Sequence, residues 1–287
     1  MSRSLCIIHA NCQGDALNML LSSTPAFSSL FEIKKYTNYL SEDIAPEDFA
    51  RCALLLYQEL GAAWKEHASH ALLERLSPHA AALKIPNMFF NGYWPLWTNK
   101  THMAFGDQLL EHLAERGCSQ EEMLHVCLRG QLAEKYDLTA LFQASQAHEA
   151  GKERGQVVDT LPLVQEHWRS EQLFYTVNHP CPRLLLHVAD GVLNALGLGR
   201  VPQQVRLAFS SLPEEFEQPI HPQVGAYFGL PFAGPQRRYR IYGQEMTYAQ
   251  YAAAYAACRL QQGPDSVRDF VVYLHLLARK GRTSCTT

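Results

Sequence analysis

The chain has 287 residues, of which 47% are hydrophobic and 18% charged, and a formal net charge of −3 at pH 7. This length is enough for one large or two modest globular domains. A near-neutral charge argues against a general nucleic-acid binder, because affinity for the phosphate backbone requires a basic excess. No apolar run approaches the length of a membrane span and no signal-peptide pattern opens the chain, so we expect a cytoplasmic protein without a transmembrane segment.

The eight cysteines follow no pattern typical of a metal or disulfide site. None forms a CxxC pair, and no His, Asp and Glu cluster has ligand spacing, so we expect no metal. A disulfide framework is not expected in a chain of this size without a secretory signal. Cys12 differs from the cysteines of the apolar runs, because polar residues flank it on both sides. Those other thiols are interpreted as core residues: Cys6, Cys52, Cys127 and Cys258.

Apolar runs and amphipathic runs alternate through the first two-thirds of the chain. Strands are predicted at residues 5–9, 31–36, 53–57, 83–90 and 173–177. Helices are predicted at about 15–23, 62–76, 103–116, 119–128, 131–150, 160–170 and 182–196. This alternation predicts a three-layer, doubly wound α/β domain over residues 1–200, with a mostly parallel five-stranded sheet.

The last part of the chain has a different composition. Residues 202–235 are rich in Pro, Phe and Gly and are interpreted as irregular, and residues 236–243 are typical of a strand or hairpin. Thr247 is a plausible N-cap of a good helix, and residues 266–279 predict a second helix before a frayed tail at 282–287. We expect residues 201–287 to be a partly helical cap that packs on the α/β core and does not fold independently.

Polar or aromatic residues follow four of the predicted strands. They are Asn11, Cys12 and Gln13 after the first, Gln58 and Glu59 after the third, residues 91–95 after the fourth, and residues 178–180 after the fifth. Ligands of open parallel sheets bind beyond the carboxyl ends of the strands, so these residues are the candidates for chemistry.

Cys12 and His179 form the predicted catalytic pair. A thiol where a strand turns into a helix lies near unpaired N–H groups and the positive end of the helix dipole, which favours the thiolate. A histidine that reaches such a thiol can act as its base. Among 13 histidines, His179 directly follows a strand and precedes Pro180, which stiffens the turn. The alternatives are a buried structural cysteine and a structural turn histidine.

The amides around this pair predict an oxyanion hole. Asn11 and Gln13 bracket Cys12, although Asn11 can equally be a simple helix cap. Asn91 and Gly92 can add a donor, and the aromatic segment 91–97 can floor a sugar or an adenine, with core packing as the alternative. The predicted oxyanion- and substrate-binding residues are therefore Asn11, Gln13, Gly14, Asn91, Gly92, Tyr93 and Asn178.

The layout parallels the SGNH hydrolase plan, with Cys12 in the place of the serine. It departs from that plan because the Gly-x-Asn motif has no clean match and no Asp-x-x-His surrounds His179. The order of motifs resembles the WcbI family of polysaccharide biosynthesis proteins more closely. The motifs are Asn11-Cys12-Gln13, Asn178-His179-Pro180, and Phe228-Gly229-Leu230 followed by Thr247-Tyr-Ala-Gln-Tyr251, with Ala10 in place of the usual glycine.

This resemblance implies an SGNH-like protein that binds coenzyme A and O-acetylates a sugar of a capsular polysaccharide. Its partners would be acetyl-CoA, a sugar or polysaccharide precursor, and other capsule biosynthesis proteins. The candidates for binding the coenzyme A phosphates are Lys100, Arg183, Arg237, Arg238 and Arg240. Two alternatives remain: an esterase or thioesterase that uses the same residues, and a non-catalytic protein that binds coenzyme A or a sugar.

Overall fold

A computed structural model of the chain describes residues 3–101, 103, 105–152, 154–260, 266, 268 and 269. The strands formed by these residues are β1 (Ser4–Ala10), β2 (Phe31–Thr37), β3 (Cys52–Tyr57), β4 (Ala81–Lys84), β5 (Trp97–Thr98), β6 (Gly106–Asp107), β7 (Phe174–Thr176), β8 (His179–Pro180), β9 (Arg238–Ile241) and β10 (Gln244–Thr247).

The α-helices of the described residues are α1 (Gln13–Ser22), α2 (Pro25–Ser28), α3 (Pro46–Arg51), α4 (Ser69–Glu74), α5 (Gln108–Glu115), α6 (Gln120–Arg129), α7 (Leu132–Lys135), α8 (Leu138–Lys152), α9 (Leu161–His167), α10 (Pro182–Ala195), α11 (Gln203–Ser210), α12 (Pro222–Phe228) and α13 (Tyr248–Arg259). Two 3₁₀ segments lie at Asn38–Leu40 and Ala62–His67. Among the described residues, no helix has the length and apolarity needed to cross a membrane.

A parallel sheet in the order β2-β1-β3-β4 confirms the predicted α/β class. The described residues give this sheet four strands, and the predicted fifth strand at 173–177 lies outside it as β7. β4 is also shorter than predicted, because Pro86 has no N–H with which to continue the ladder. On the outer edge of β4, the chain adds a single parallel bridge between Lys84 and Gln156.

The two faces of β1 contact different helices, as expected for a strand buried on both sides. On one face, an added Cβ at Gly14 of α1 would lie 2.9 Å from Ala10 Cβ and 3.3 Å from Ile8 Cγ2, so glycine permits the close packing of α1. On the other face, Leu5 and Ile7 belong to an apolar cluster. The helical members of that cluster are Phe49 of α3 and Leu72 of α4.

The contacts divide the chain into two units, neither of which is continuous in sequence. The first unit comprises Met1–Phe89, His148–His167 and His179–Leu212, and it contains the parallel sheet. The second unit comprises Phe90–Ala147, Trp168–Asn178 and Pro213–Thr287. The predicted division into an α/β core over residues 1–200 and a cap over residues 201–287 that does not fold independently stays a prediction.

Aromatic side chains form much of the interior of the second unit. Phe90 stacks on Phe174 with ring centroids 5.3 Å apart, and Phe142 stacks on Trp168 at 4.3 Å. The hairpin of β9 and β10 confirms the strand or hairpin predicted at 236–243. α13 begins as predicted, because the Thr247 hydroxyl accepts a hydrogen bond from the N–H of the third helical residue in a capping box.

The interpretation of residues 202–235 as irregular is wrong, since they contain α11 and α12. Two of their six prolines lie at helix starts, where a missing N–H costs nothing: Pro202 is the N-cap of α11 and Pro222 is the first residue of α12. The predicted helix at 266–279 and tail at 282–287 lie outside the described residues, apart from residues 266, 268 and 269.

Candidate active site at the first strand–helix turn

The turn that carries Cys12 is two residues long. β1 ends at Ala10 and α1 begins at Gln13, so Cys12 is the N-cap residue, and its side chain makes no capping hydrogen bond. Asn11 caps the helix instead, because its Oδ1 accepts the N–H of Gln13 at 2.9 Å and its carbonyl accepts the N–H of Gly14 at 2.9 Å. The first amides of α1 are therefore largely used within the turn.

A network of side-chain carboxamides forms hydrogen bonds with the same turn. Asn11 N–H donates to Gln58 Oε1 at 2.8 Å, and Asn11 Nδ2 donates to Asn87 Oδ1 at 3.1 Å. The Gln13 side chain donates to the carbonyl of Met88 at 2.7 Å and accepts the N–H of Met88 at 3.1 Å. These two hydrogen bonds to Met88 give the Gln13 side chain a structural role, and its predicted role in an oxyanion hole stays a prediction.

The Cys12 thiol is half-buried, and its pKa is raised. Burial is the largest cause and the Asp15 carboxylate adds to it, while the N–H groups of Cys12 and Gln13 and the Lys35 ammonium oppose them more weakly. The predicted shift toward thiolate is therefore wrong. Desolvation of the charged sulfur outweighs the favourable field of the helix start.

His179 is the first residue of β8 and lies three residues before α10. Its side chain is half-buried, and burial lowers its pKa. A lowered pKa leaves the imidazole neutral near pH 7, which is the form that accepts a proton.

Cys12 and His179 both belong to the first unit, and each precedes a helix. These two helices, α1 and α10, pack against each other. Among the described residues, no hydrogen bond joins the Cys12 thiol to the His179 ring. The structure thus gives a neutral thiol and a neutral imidazole, each shortly before one of two helices that pack against each other, and their catalytic pairing stays a prediction.

The predicted substrate-binding residues of the second unit are largely buried. An added Cβ at Gly92 would clash with Phe90 and lie 2.9 Å from Phe142 Cδ2, so aromatic packing explains this glycine. Tyr93 is 0% exposed, and its hydroxyl donates to the carbonyls of Trp168 at 2.7 Å and Glu171 at 3.0 Å. Their roles in substrate binding stay predictions.

The remaining two predicted residues of this unit are Asn91 and Asn178. Asn91 Oδ1 is a buried acceptor without a hydrogen bond among the described residues. Asn178 is half-buried, and its Oδ1 accepts a hydrogen bond from the Thr176 hydroxyl at 3.0 Å. The predicted roles of both side chains in substrate binding stay predictions.

The predicted phosphate-binding cations are all exposed. Arg183 lies in the first turn of α10 in the first unit, four residues after His179. In the second unit, Arg237 pairs with Glu217 at 3.2 Å. Arg238 and Arg240 of that unit donate to the carbonyls of Glu245 and Glu214, and Lys100 also lies there.

The cysteines that the structure describes form no disulfide. Within the described part of the chain, no group of three or more His, Cys, Asp or Glu side chains is arranged to hold a metal ion.

Gln58 follows a predicted strand but had no specific predicted role, and Asn38 and Asn87 were not among the predicted site residues. These side chains lie at the carboxyl ends of β3, β2 and β4. The available signal was an amide shortly after each of two predicted strands, Gln58 and Asn38, since parallel strands bring such positions to one edge. Asn87 gave no such signal, because it lies inside the strand predicted at 83–90.

Comparisons with known proteins agree with this architecture. A family model described as "Polysaccharide biosynthesis enzyme WcbI" matches residues 5–201. A solved structure of WcbI, described as a novel polysaccharide biosynthesis enzyme, has 18% sequence identity and a TM-score of 0.73. The match covers 98% of this chain and 96% of that chain.

The solved WcbI structure is of the native protein without a disulfide bond between coenzyme A and one of its cysteines. At 18% identity, this likeness establishes a shared fold. No curated protein matches the chain. The family match covers more than half of the chain, and we conclude that the chain belongs to the WcbI family of polysaccharide biosynthesis enzymes.

Proposed function

We propose that the protein is an acetyl-CoA-dependent O-acetyltransferase that acts on a sugar in capsular polysaccharide biosynthesis in the cytoplasm. Membership of the WcbI family supports a role in polysaccharide biosynthesis, and the description of a WcbI structure names coenzyme A together with a cysteine. The observation that carries the proposal is the turn at Cys12, whose backbone is held by hydrogen bonds. The Cys12 thiol lies at the start of α1 and makes no capping hydrogen bond to the helix.

In the proposed reaction, His179 acts as the general base. Its neutral imidazole accepts the proton of the acceptor hydroxyl, and the hydroxyl oxygen attacks the carbonyl carbon of acetyl-CoA. The carbon–sulfur bond then breaks, and the thiolate of coenzyme A takes a proton as it leaves. The Cys12 N–H and the second hydrogen of Asn11 Nδ2 are the proposed donors to the oxyanion.

A covalent version of the same reaction passes through Cys12. The thiol first gives its proton to His179 and attacks the carbonyl carbon of acetyl-CoA, and coenzyme A leaves with that proton. The acceptor hydroxyl then gives its proton to His179 and attacks the acetyl-cysteine, and the Cys12 thiolate leaves and takes the proton back. The raised pKa of Cys12 makes the first proton transfer necessary, because little thiolate is present at pH 7.

For coenzyme A, we propose Arg183 as an anion-binding group of the first unit. Lys100, Arg237 and Arg238 of the second unit remain further candidates for its phosphates. Asn91, Gly92, Tyr93 and Asn178 are candidates for contacts to substrate.

Intact-mass measurement after mixing with acetyl-CoA tests the chemistry. A covalent route predicts an acetyl adduct in the wild type that is lost in Cys12→Ala and reduced by an added nucleotide sugar. Direct transfer predicts no adduct but release of coenzyme A that depends on the acceptor. Release of coenzyme A at the same rate without any acceptor would instead indicate a thioesterase.

A second candidate function follows from the same raised pKa. An uncharged, half-buried thiol also suits a protein that binds coenzyme A without catalysis, with Cys12 as a lining residue. Calorimetric binding of coenzyme A, combined with no acetyl transfer to any nucleotide sugar of a panel, would favour this function.

A further inference from the structure

The side chain of Gln58 forms hydrogen bonds to the residues on both sides of Cys12. Gln58 directly follows β3 and is 0% exposed, and its own N–H donates to the carbonyl of His9 at 3.0 Å. This backbone bond fixes where the side chain begins, one residue beyond the last paired position of the strand. A fully buried carboxamide is costly unless its polar atoms are paired, so its partners are informative.

Both ends of the Gln58 carboxamide are paired. Oε1 accepts the N–H of Asn11 at 2.8 Å and lies 3.4 Å from the amide of Asn38. Nε2 donates to the carbonyl of Pro86 at 3.0 Å and to Gln13 Oε1 at 3.3 Å. One planar group thus joins the residues before and after Cys12 to the segments that follow β2 and β4, the two outer strands of the four described.

The chemistry of these partners requires an amide at position 58. Two of them are donors and two are acceptors, and they lie on opposite ends of the same group. A carboxylate has no hydrogen to give to the carbonyl of Pro86 or to Gln13, and an apolar side chain serves none of the four partners.

We propose that Gln58 is a positioning residue of the active site, which sets the orientation and burial of the Cys12 thiol by holding the backbone of Asn11 and the side chain of Gln13. The effect of Gln58 on catalysis rests on the proposed function, whereas its effect on the position of Cys12 does not. Cys12 has no side-chain cap of its own, so its position depends on the residues on either side. Gln58 binds both of them.

The test compares Gln58→Leu and Gln58→Glu with Leu54→Ala, a substitution in the buried interior of the same strand that touches none of these bonds. The readout is the rate of alkylation of Cys12 by iodoacetamide from about pH 6 to about pH 10, measured on the Cys12 peptide by mass spectrometry. Thermal unfolding of each variant reports the loss of stability that all three substitutions share.

We expect Gln58→Leu to increase Cys12 alkylation near neutral pH by about three- to tenfold, because a released turn exposes the thiol. Gln58→Glu should also increase the rate, because its carboxylate cannot donate to Pro86 or Gln13 and therefore releases the turn as well. Leu54→Ala should stay within about twofold of the wild type, because it lowers stability without freeing the turn. Equal rates in Gln58→Leu and Leu54→Ala, or a wild-type rate in Gln58→Glu, would overturn the proposal.

The kinetics of acetyl transfer distinguish a failure of this proposal from a failure of the proposed function. Gln58→Leu should lower kcat by about tenfold or more and change KM for acetyl-CoA less, since a misplaced thiol site affects the reaction more than binding. An unchanged kcat would contradict the positioning role. If the wild-type protein transfers no acetyl group, the proposed function fails, while the alkylation rates still decide the role of Gln58.

Discussion

Two segments that were both predicted to contain site residues have different environments in this protein. Residues 11–13 and residues 91–97 each follow a predicted strand and contain side chains able to do chemistry. In the first segment, hydrogen bonds fix the backbone and leave Cys12 half-buried without a side-chain cap. In the second, Gly92 and Tyr93 are buried and packed among aromatic rings. Polar or aromatic residues after a strand therefore indicate a site only when their partners are known.

The largest expected effect separates His179 from the other histidines. His179→Ala should lower the rate of acetyl transfer by about 10²- to 10⁴-fold, because the reaction loses its base. His148→Ala is the matched control, because this side chain is 71% exposed on α8, and it should leave the rate unchanged. The rates are measured as coenzyme A release with acetyl-CoA and a nucleotide sugar. Equal rates in the two variants would remove His179 from the mechanism.

A stability measurement tests the packing assigned to residues 91–97. Gly92→Ala should lower the free energy of unfolding by about 1–3 kcal/mol, because the added methyl group meets the rings of Phe90 and Phe142. Gly61→Ala is the control, since a Cβ there meets nothing within 4 Å. Denaturant unfolding reports both. An unchanged midpoint in Gly92→Ala would mean that this segment is open enough to receive a ligand.

The pH dependence of alkylation tests the state of the Cys12 thiol. Burial raises its pKa, so at any given pH the folded protein holds less thiolate than the unfolded chain. Alkylation of Cys12 should therefore be slower in the folded protein than in urea, and it should continue to rise at a pH where the unfolded chain has levelled off. A folded-state profile that levels off at a lower pH would restore the thiolate predicted from the helix dipole.

The smallest expected effect concerns the cations. Arg183→Ala should weaken coenzyme A binding by about three- to tenfold, because one charge-assisted hydrogen bond to a phosphate is lost. Arg238→Ala should change it by less than about twofold, because this guanidinium binds the carbonyl of Glu245 in its own hairpin. Calorimetry with coenzyme A measures both, and the reverse order would assign the phosphates to the second unit.

Local signals predicted the elements around the site well. The apolar run before Asn11 and the amphipathic run after Gln13 were sufficient to place the turn, and the Thr247 cap was found from the residues of its own helix. Long-range packing could not be found in this way. The rings that explain Gly92 and Tyr93 include Phe142 and Trp168, some fifty residues or more away in sequence.

The ionisation of Cys12 was missed for a related reason. The helix dipole can be predicted from one turn of sequence, but the burial that outweighs it depends on the whole fold. The partners of Gln58 were not predicted either, since they follow three different strands.

The central claim is that acetyl transfer takes place at the turn of Cys12. The most direct measurement is the release of coenzyme A from acetyl-CoA by wild type, Cys12→Ala and Cys12→Ser, with and without a panel of nucleotide sugars. We expect acceptor-dependent release by the wild type, and the covalent route predicts in addition a loss of about 100-fold or more in Cys12→Ala, because direct transfer uses only the N–H of Cys12. Equal acceptor-dependent rates in the wild type and Cys12→Ala, with both proteins folded, would exclude the covalent route, and no acceptor-dependent release by the folded wild type would contradict acetyl transfer at this turn.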